Sequence, residues 1–447
     1  MRHAFHSSRR TVAVALACVL TAAAAAALAV GASAHGSRSH HGQKSGSHPG
    51  HKTMHGSAGL SITSAPFGTV PAHPPLNQAL PATLYTLSNG HRMTVNITNY
   101  GGVVQSIRVP DRAGRVKNVA LGFSKLSDYV TDFTNPPAGG SGDTYFGAII
   151  GRYANRIAGA EFKLDGTTYP LGSPQPPSPN PNNGPNLLHG GPNSYNTQVW
   201  DATPTVGPHS VSLKLTYTDP DGFNGFPGEV SNVVTYTLTQ DNALEINYSA
   251  TTTKPTVINL TNHTYFNLAG EGSGDVYDQL MKINADSFTP TDANLIPTGQ
   301  IVPVAGTPFD FRSLKPIGQD IRSAGAPQGN QLVLAHGFDH NWVLNGSGMK
   351  LASVAEDPAS GRVLQTYTTE PGVQFYTGNF LEGDLVGTSG NTYRQSDGFT
   401  LETQHYPDSP NEPSFPSTRL DPGQTFTSST TYKFSTAGRG TGHRGRH

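Results

Sequence analysis

The chain has 447 residues, of which 35% are hydrophobic and 13% charged. This length suits one large β domain or about two to three average domains. Its 29 basic and 30 acidic residues give a net charge of −1, which argues against a nucleic-acid or other polyanion-binding protein. The single cysteine, Cys18, excludes a disulfide framework and a multi-cysteine zinc site.

Residues 1–34 have the pattern of an export signal. Arginines near the N-terminus precede an uncharged Ala/Val/Leu run over 12–30, and Ala32-Ser33-Ala34 is a small-x-small cleavage site. The pattern predicts a secreted, extracellular protein that has no membrane attachment after cleavage. Sec and twin-arginine export both remain open. An uncleaved membrane anchor is the alternative, because the apolar run is long for a signal core.

Low-complexity segments flank the body of the chain. Residues 35–75 are rich in Gly, Ser, His and Pro and contain little to bury, so we expect a disordered linker. A metal-binding His tract is the alternative for its histidine-rich part. The Gly-rich, basic residues 437–447 are expected to form a flexible tail. The folded domain is expected to span 76–436.

The body of the chain shows short apolar or alternating segments separated by turn signals. Leu244–Tyr248 alternates strictly, as a strand with one wet face does. Turn dipeptides such as Asn89-Gly90 and Asp165-Gly166 lie between such segments. No long stretch has helical periodicity, so we predict an all-β fold, a large antiparallel β-sandwich. The proline-rich run 173–185 is predicted to be an irregular surface loop.

Ionisable and amide side chains interrupt this pattern in six short segments. Each of these residues, taken alone, also fits a structural role as a salt bridge, a turn bond or an exposed strand position. No nucleotide-binding glycine motif and no G-x-S-x-G elbow occurs. The segments are GRYANRI at 151–157, NLLHGG at 186–191, INLTNHTYFNL at 258–268, GFDHN at 337–341, VQFYT at 373–377 and FTLETQHYPD at 399–408.

Taken together and in this order, these segments resemble the aldose 1-epimerase family. The likeness runs from about Leu84 to Phe434, and NLTNHTYFNL and LETQHYPD are its most specific parts. The resemblance implies the galactose mutarotase-like fold with a sugar-binding cleft open to solvent. It also implies a cofactor-free isomerase that interconverts the α and β anomers of free aldohexoses such as glucose and galactose.

The resemblance also implies roles for single residues. Glu402 would be the base that takes the proton of the C1 hydroxyl, and His263 the acid that protonates the ring oxygen. The implied substrate-binding residues are Asn155, Arg156, His189, Tyr265, Asp339 and Gln374, with Phe380 as an alternative aromatic face. No metal is expected, the partner is a small-molecule aldose, and the sequence does not predict an oligomeric state.

Two other functions remain open at this point. An epimerase of phosphorylated hexoses would require additional Arg or Lys around the cleft. A catalytically silent, secreted carbohydrate-binding protein could use the same scaffold, although the presence of both Glu402 and His263 argues against it.

Overall fold

The computed structural model describes residues 52–56, 59–135, 141–172 and 186–438. The predicted export signal, the predicted loop at 173–185, residues 35–51 and 57–58 of the predicted linker and residues 439–447 of the predicted tail therefore lie outside the described residues. None of the helices in the described part of the chain has the length and apolar content that a membrane span requires.

The described residues form mostly strands. The α-helices are α1 (Leu126–Thr134) and α2 (Asn330–Ala335), and 3-10 turns occur at Ala158–Ala160, Tyr195–Thr197, Phe223–Gly225 and Ile317–Gln319. The strands are β1 (Lys52–His55), β2 (Leu60–Val70), β3 (Leu80–Asn89), β4 (Thr94–Thr98), β5 (Val104–Pro110), β6 (Val116–Asn118), β7 (Ile149–Ile150), β8 (Arg156–Ile157), β9 (Glu161–Leu164), β10 (Thr167–Pro170), β11 (Leu187–Leu188), β12 (Asp201–Val206), β13 (Ser210–Asp219), β14 (Val230–Thr239), β15 (Ala243–Thr252), β16 (Thr256–Val257), β17 (Thr261–Asn262), β18 (Tyr265–Phe266), β19 (Leu280–Ile283), β20 (Ala285–Thr289), β21 (Val302–Pro303), β22 (Lys315–Pro316), β23 (Asp339–Leu344), β24 (Lys350–Glu356), β25 (Arg362–Thr368), β26 (Gly372–Tyr376), β27 (Glu382–Val386), β28 (Thr392–Arg394), β29 (Phe399–Gln404), β30 (Arg419–Leu420) and β31 (Phe426–Thr436).

Three larger antiparallel sheets dominate the described residues. The first runs β1-β2-β3-β4-β5-β6 in sequence order. The second has nine strands in the order β12-β13-β14-β15-β31-β25-β24-β19-β22, and the third has the order β18-β29-β26-β23-β20-β21. The predicted alternating segment at 244–248 lies within β15, where Leu244, Ile246 and Tyr248 are buried and Asn247 is exposed.

One hydrophobic core joins the three sheets. Ile107 of the first sheet, Ile246 of the second and Phe375 of the third belong to the same cluster of buried side chains. The sheets therefore pack around shared apolar faces, as the strands of a large sandwich do. This arrangement confirms the predicted all-β, antiparallel fold class.

The prediction of a disordered linker through residue 75 is wrong over part of its length. Lys52–His55 and Leu60–Val70 form β1 and β2, and β2 pairs with β3. Leu60, Ile62 and Val70 are buried. Composition alone missed this strand because its apolar residues are spaced among Ser, Thr and Gly, which lowers the mean hydropathy without removing the buried face.

Deleting residues 1–70 is therefore expected to lower the melting temperature by about 7 °C. The loss of three buried aliphatic side chains costs roughly 5 kcal/mol, which in a domain of this size is a shift of that order. Differential scanning calorimetry measures it. A matched deletion that ends at His51 is expected from its composition to leave the melting temperature unchanged. Equal melting temperatures of the two deletions would contradict a structural role for β2.

Candidate active site

Three of the predicted site residues lie side by side on one face of the third sheet. In the pairing of β26 with β29, Gln374 lies opposite Glu402, and in the pairing of β23 with β26, Asn341 lies opposite Gln374. Asp339 shares the face of Asn341, because residues two apart in a strand point the same way. Segments far apart in sequence thus contribute Asp339, Gln374 and Glu402 to one polar surface, and all three are buried.

His263 reaches this surface from the connection between β17 and β18. Its backbone is fixed on both sides, since its N–H donates to the Ala148 carbonyl and its carbonyl accepts from the Gly147 N–H, each at 3.0 Å. The imidazole Nε2 lies 3.5 Å from Oε1 of Glu402. The two residues predicted to be catalytic are therefore brought together.

His189 lies beside His263 and is held by Asn155. The His189 N–H donates to the Asn155 carbonyl at 3.0 Å, and the Asn155 N–H donates to His189 Nδ1 at 3.1 Å. A backbone N–H is only a donor, so Nδ1 must be the unprotonated acceptor and the neutral ring carries its proton on Nε2. The two imidazoles meet edge to face with centroids 5.2 Å apart.

The Asn155–Arg156 turn offers several donors to the site. Asn155 Oδ1 accepts the Arg156 N–H at 2.9 Å. The other terminal atom of the Asn155 side chain is therefore the nitrogen, whose NH₂ group is a donor. Arg156 Nη1 lies 3.9 Å from Oδ2 of Asp339, and its buried Nε has no hydrogen-bond partner among the described residues. A buried guanidinium normally satisfies its donors, so the Nε–H of Arg156 is available to donate to an oxygen atom of a ligand.

Gln374 and Asp339 form a direct pair. Gln374 Nε2 donates to Asp339 Oδ1 at 2.7 Å, and Gln374 Oε1 is left without a partner in the described structure. Burial raises the pKa of Asp339, while the charge of Arg156 and the bond from Gln374 lower it. The pair presents both an acceptor and a donor to a bound hydroxyl group.

Aromatic rings surround the imidazoles. Tyr265 is buried with its ring centroid 5.2 Å from that of His263, and Phe380 is half-buried and stacks on Tyr376.

Tyr145 is not among the predicted site residues, yet the centroid of its half-buried ring lies 4.6 Å from that of His189. Its only sequence signal is its place before the apolar run that precedes GRYANRI.

Burial dominates the electrostatics of the site. It raises the pKa of Glu402 to about 8, assisted by the charge of Asp339 and opposed by the Thr400 hydrogen bond and by Arg156. Burial lowers the pKa of His263 to about 3 and holds that of His189 well below its usual value. At neutral pH the His263–Glu402 pair therefore carries one proton and no net charge.

The donor atoms of His189, His263 and Glu402 lie within 4.8 Å of one another, a spacing that a metal ion could bridge. Two imidazoles and a carboxylate are common zinc ligands. However, the Nδ1 lone pair of His189 is occupied by the Asn155 N–H, so its Nε2 holds a proton and cannot also coordinate. The group fits proton donation better than metal binding.

Comparisons with known proteins identify the family to which this chain is similar. A family model described as aldose 1-epimerase matches residues 83–433. Galactose mutarotase of Bos taurus is 42% identical over 379 residues, which covers 85% of this chain and 100% of the bovine protein. Aldose 1-epimerase of Escherichia coli (strain K12) is 37% identical over 358 residues, 79% of this chain and 95% of the bacterial protein.

The fold comparison agrees with these matches. The crystal structure of galactose 1-epimerase from Lactobacillus acidophilus NCFM aligns with a TM-score of 0.70 at 27% identity, covering 85% of this chain and 100% of that one. The resemblance deduced from the six polar segments is confirmed. The chain belongs to the aldose 1-epimerase family.

Proposed function

We propose that this protein interconverts the α and β anomers of free aldohexoses. The observation that carries the proposal is the approach of His263 Nε2 to within 3.5 Å of Glu402 Oε1. The same buried surface holds donors and acceptors that have no partner in the described part of the chain. Family membership agrees with it.

Anomer interconversion requires one proton to leave and another to arrive. The C1 hydroxyl loses its proton to a base while the ring oxygen O5 gains one from an acid, and the C1–O5 bond breaks. Rotation about C1–C2 and reclosure on the other face reverse both transfers. No electron is gained or lost, so an acid and a base with exchangeable roles are sufficient, each contributing about 10²–10⁴-fold.

Glu402 is the base and His263 the acid in this scheme. A carboxylate whose pKa burial has raised to about 8 accepts a proton more readily than one in water. The pair holds one proton throughout. In the free enzyme this proton lies on Glu402, whose pKa is the higher of the two, and the reactive form is the tautomer in which it has moved to His263 and left Glu402 a carboxylate. The net charge of the buried pair does not change. The Nε2–H of His189 donates a second hydrogen bond to the ring oxygen.

The remaining residues bind sugar hydroxyl groups. Asp339 accepts hydrogen bonds, Arg156 and Asn155 donate, and Gln374 does both through its free Oε1 and its NH₂ group. A buried donor or acceptor that the substrate leaves unpaired costs about 1–3 kcal/mol. Sugars with a hydroxyl group in the wrong configuration are therefore disfavoured.

The charges at the site favour a free sugar over a phosphorylated one. Arg156 is the cation whose charge acts on both Glu402 and Asp339, and two buried carboxyl groups face it. A phosphate dianion placed there would meet two acidic groups and one guanidinium. A silent binding protein would not need the His263–Glu402 pair.

Polarimetry of freshly dissolved α-D-glucose and α-D-galactose tests the proposal. The purified protein is expected to accelerate the approach to the equilibrium rotation for both sugars well above the buffer-catalysed rate. α-D-glucose 6-phosphate is the matched comparison and is expected to react far more slowly. No acceleration with any free aldohexose would overturn the proposal.

The pH profile of kcat/KM is expected to be flat across neutral pH and to fall on both sides. Above about pH 8 Glu402 loses the single proton of the pair, so none remains for the ring oxygen. Below about pH 3 His263 is also protonated, so the pair holds two protons and no base remains. Polarimetry with buffer subtraction measures the profile, with circular dichroism at each pH as the control for folding. A rate still rising at about pH 10 would contradict it.

We also propose that the protein is exported. The basic residues, the apolar run and Ala32-Ser33-Ala34 support this proposal. N-terminal sequencing of protein recovered from the culture medium is expected to begin at His35, and retention of the intact chain in the membrane fraction would contradict it.

A further inference from the structure

The chain that follows Glu402 returns to the Asn155–Arg156 turn and contains a buried carboxylate, Asp408. This residue is 2% exposed and adopts a left-handed backbone conformation with φ of 60°. Its N–H donates to the Arg156 carbonyl at 2.8 Å. Its Oδ1 accepts the Ala158 N–H at 2.9 Å and the Asn411 side-chain amide at 2.7 Å.

These bonds hold the Arg156 turn from two sides. Arg156 also pairs with Leu188 between β8 and β11, and β11 leads directly to His189. Asn155 and His189 are in turn joined by their two mutual hydrogen bonds. Asp408 is therefore the outer anchor of a continuous hydrogen-bonded arrangement that ends at the site.

Arg156 depends on such an anchor more than its neighbours do. Gln374 and Glu402 lie on paired strands, whose register fixes their positions. The guanidinium of Arg156, by contrast, has as its nearest charged partner Asp339, at 3.9 Å. Its placement must come from its backbone, and long side chains lose entropy when a site must order them.

We propose that Asp408 is a positioning residue for sugar binding, which holds the Asn155–Arg156 turn so that its donors face the substrate. The inference rests on the proposed function, because it assigns Arg156 to the sugar hydroxyl groups. The bonds of Asp408 are to the turn and to Asn411, so it should act through Arg156 and govern substrate affinity more than the chemical step.

Asp408→Gly is the informative variant. Glycine adopts a positive φ without strain, so the backbone bond to Arg156 can persist while the carboxylate is lost. We expect KM and the galactose Kd to rise about tenfold, the effect of losing a charge-assisted hydrogen bond, with kcat within about threefold. Asp408→Asn tolerates the same backbone and keeps an acceptor oxygen, so it should restore KM to within about threefold of wild type.

Asp357→Ala is the matched control. Asp357 is also a buried turn carboxylate, and it accepts the Ala359 and Ser360 N–H groups in the turn between β24 and β25. It should lower the melting temperature and leave KM unchanged. An unchanged KM in Asp408→Gly, or an equal rise in Asp357→Ala, would overturn the proposal.

Two further measurements keep the test decisive. If Asp408→Gly does not fold, Asn411→Ala replaces it, since it removes one donor to Oδ1; an unchanged KM there also overturns the proposal. Galactose Kd values come from calorimetry. A wild type that binds galactose without turnover would overturn the proposed function, whereas the Kd ratios of the variants would still decide the role of Asp408.

Discussion

Replacing Glu402 by Gln is expected to lower kcat by at least about 100-fold while changing the galactose Kd by less than about threefold. Glutamine keeps the shape of the side chain and can still accept the Thr400 hydroxyl bond, which is 2.9 Å long in the wild type. It cannot take the C1 hydroxyl proton, so only the general-base contribution is lost. Polarimetry gives kcat and calorimetry gives Kd; near-normal mutarotation would contradict the assignment.

The stability of this variant provides its folding control. Because the pKa of Glu402 is raised from 4.5 to about 8, the folded state keeps a proton that the unfolded state releases. The wild type therefore loses stability as the pH rises through that window. Glutamine has no proton to lose. The melting temperature of Glu402→Gln minus that of the wild type should therefore increase as the pH rises from about 5 to about 9. A difference that stays constant would argue against the raised pKa of Glu402.

Replacing His263 by Asn is expected to lower kcat by at least about 100-fold, because an amide cannot deliver a proton as imidazolium does. The amide still fills part of the space and can hydrogen-bond, so galactose binding should weaken far less than turnover. Stopped-time polarimetry across the pH range measures the loss, and the neutral-pH plateau should disappear with it. Equal rates of wild type and variant would exclude His263 as the acid and make His189 the next candidate.

The chain offers a matched control for this substitution. His405 Nδ1 lies 2.6 Å from Oε2 of the buried Glu370, a second His–Glu pair three residues beyond Glu402. His405→Asn breaks an equivalent pair without removing any group proposed to touch the sugar. It should lower the melting temperature and retain most of the turnover. A comparable loss of kcat in both variants would mean that breaking a His–Glu pair, and not losing the acid, explains the effect.

Sequence patterns were sufficient for the fold class, and the family resemblance named the residues of the candidate site, but neither contained the geometry of that site. Alternation predicted strands such as β15, since a half-buried strand imposes a period of two. The proximity of Gln374 to Glu402 depends on register between strands, which no local pattern contains. The tautomer of His189 depends on one backbone N–H from Asn155, and this contact is made only in the folded chain.

Two features were missed for different physical reasons. Strand β2 lies in a segment whose composition is that of a linker, and pairing with β3 stabilises it despite its low mean hydropathy. Tyr145 reaches the imidazoles because the turn that carries it is bonded to the backbone of His263 through Gly147 and Ala148. A single aromatic residue beside an apolar run carries no such information.

The single proton shared by His263 and Glu402 has a consequence for how the catalyst is reset. In the proposed ring opening the proton of the C1 hydroxyl reaches Glu402 as His263 gives up its own to the ring oxygen, and ring closure on either face reverses both transfers. The enzyme therefore finishes each cycle in the state in which it began, with no proton borrowed from or returned to water. Both groups are almost inaccessible to solvent, and this burial does not slow turnover, because no proton has to be exchanged with water. Turnover should accordingly be indifferent to buffer concentration, whereas the uncatalysed reaction is not.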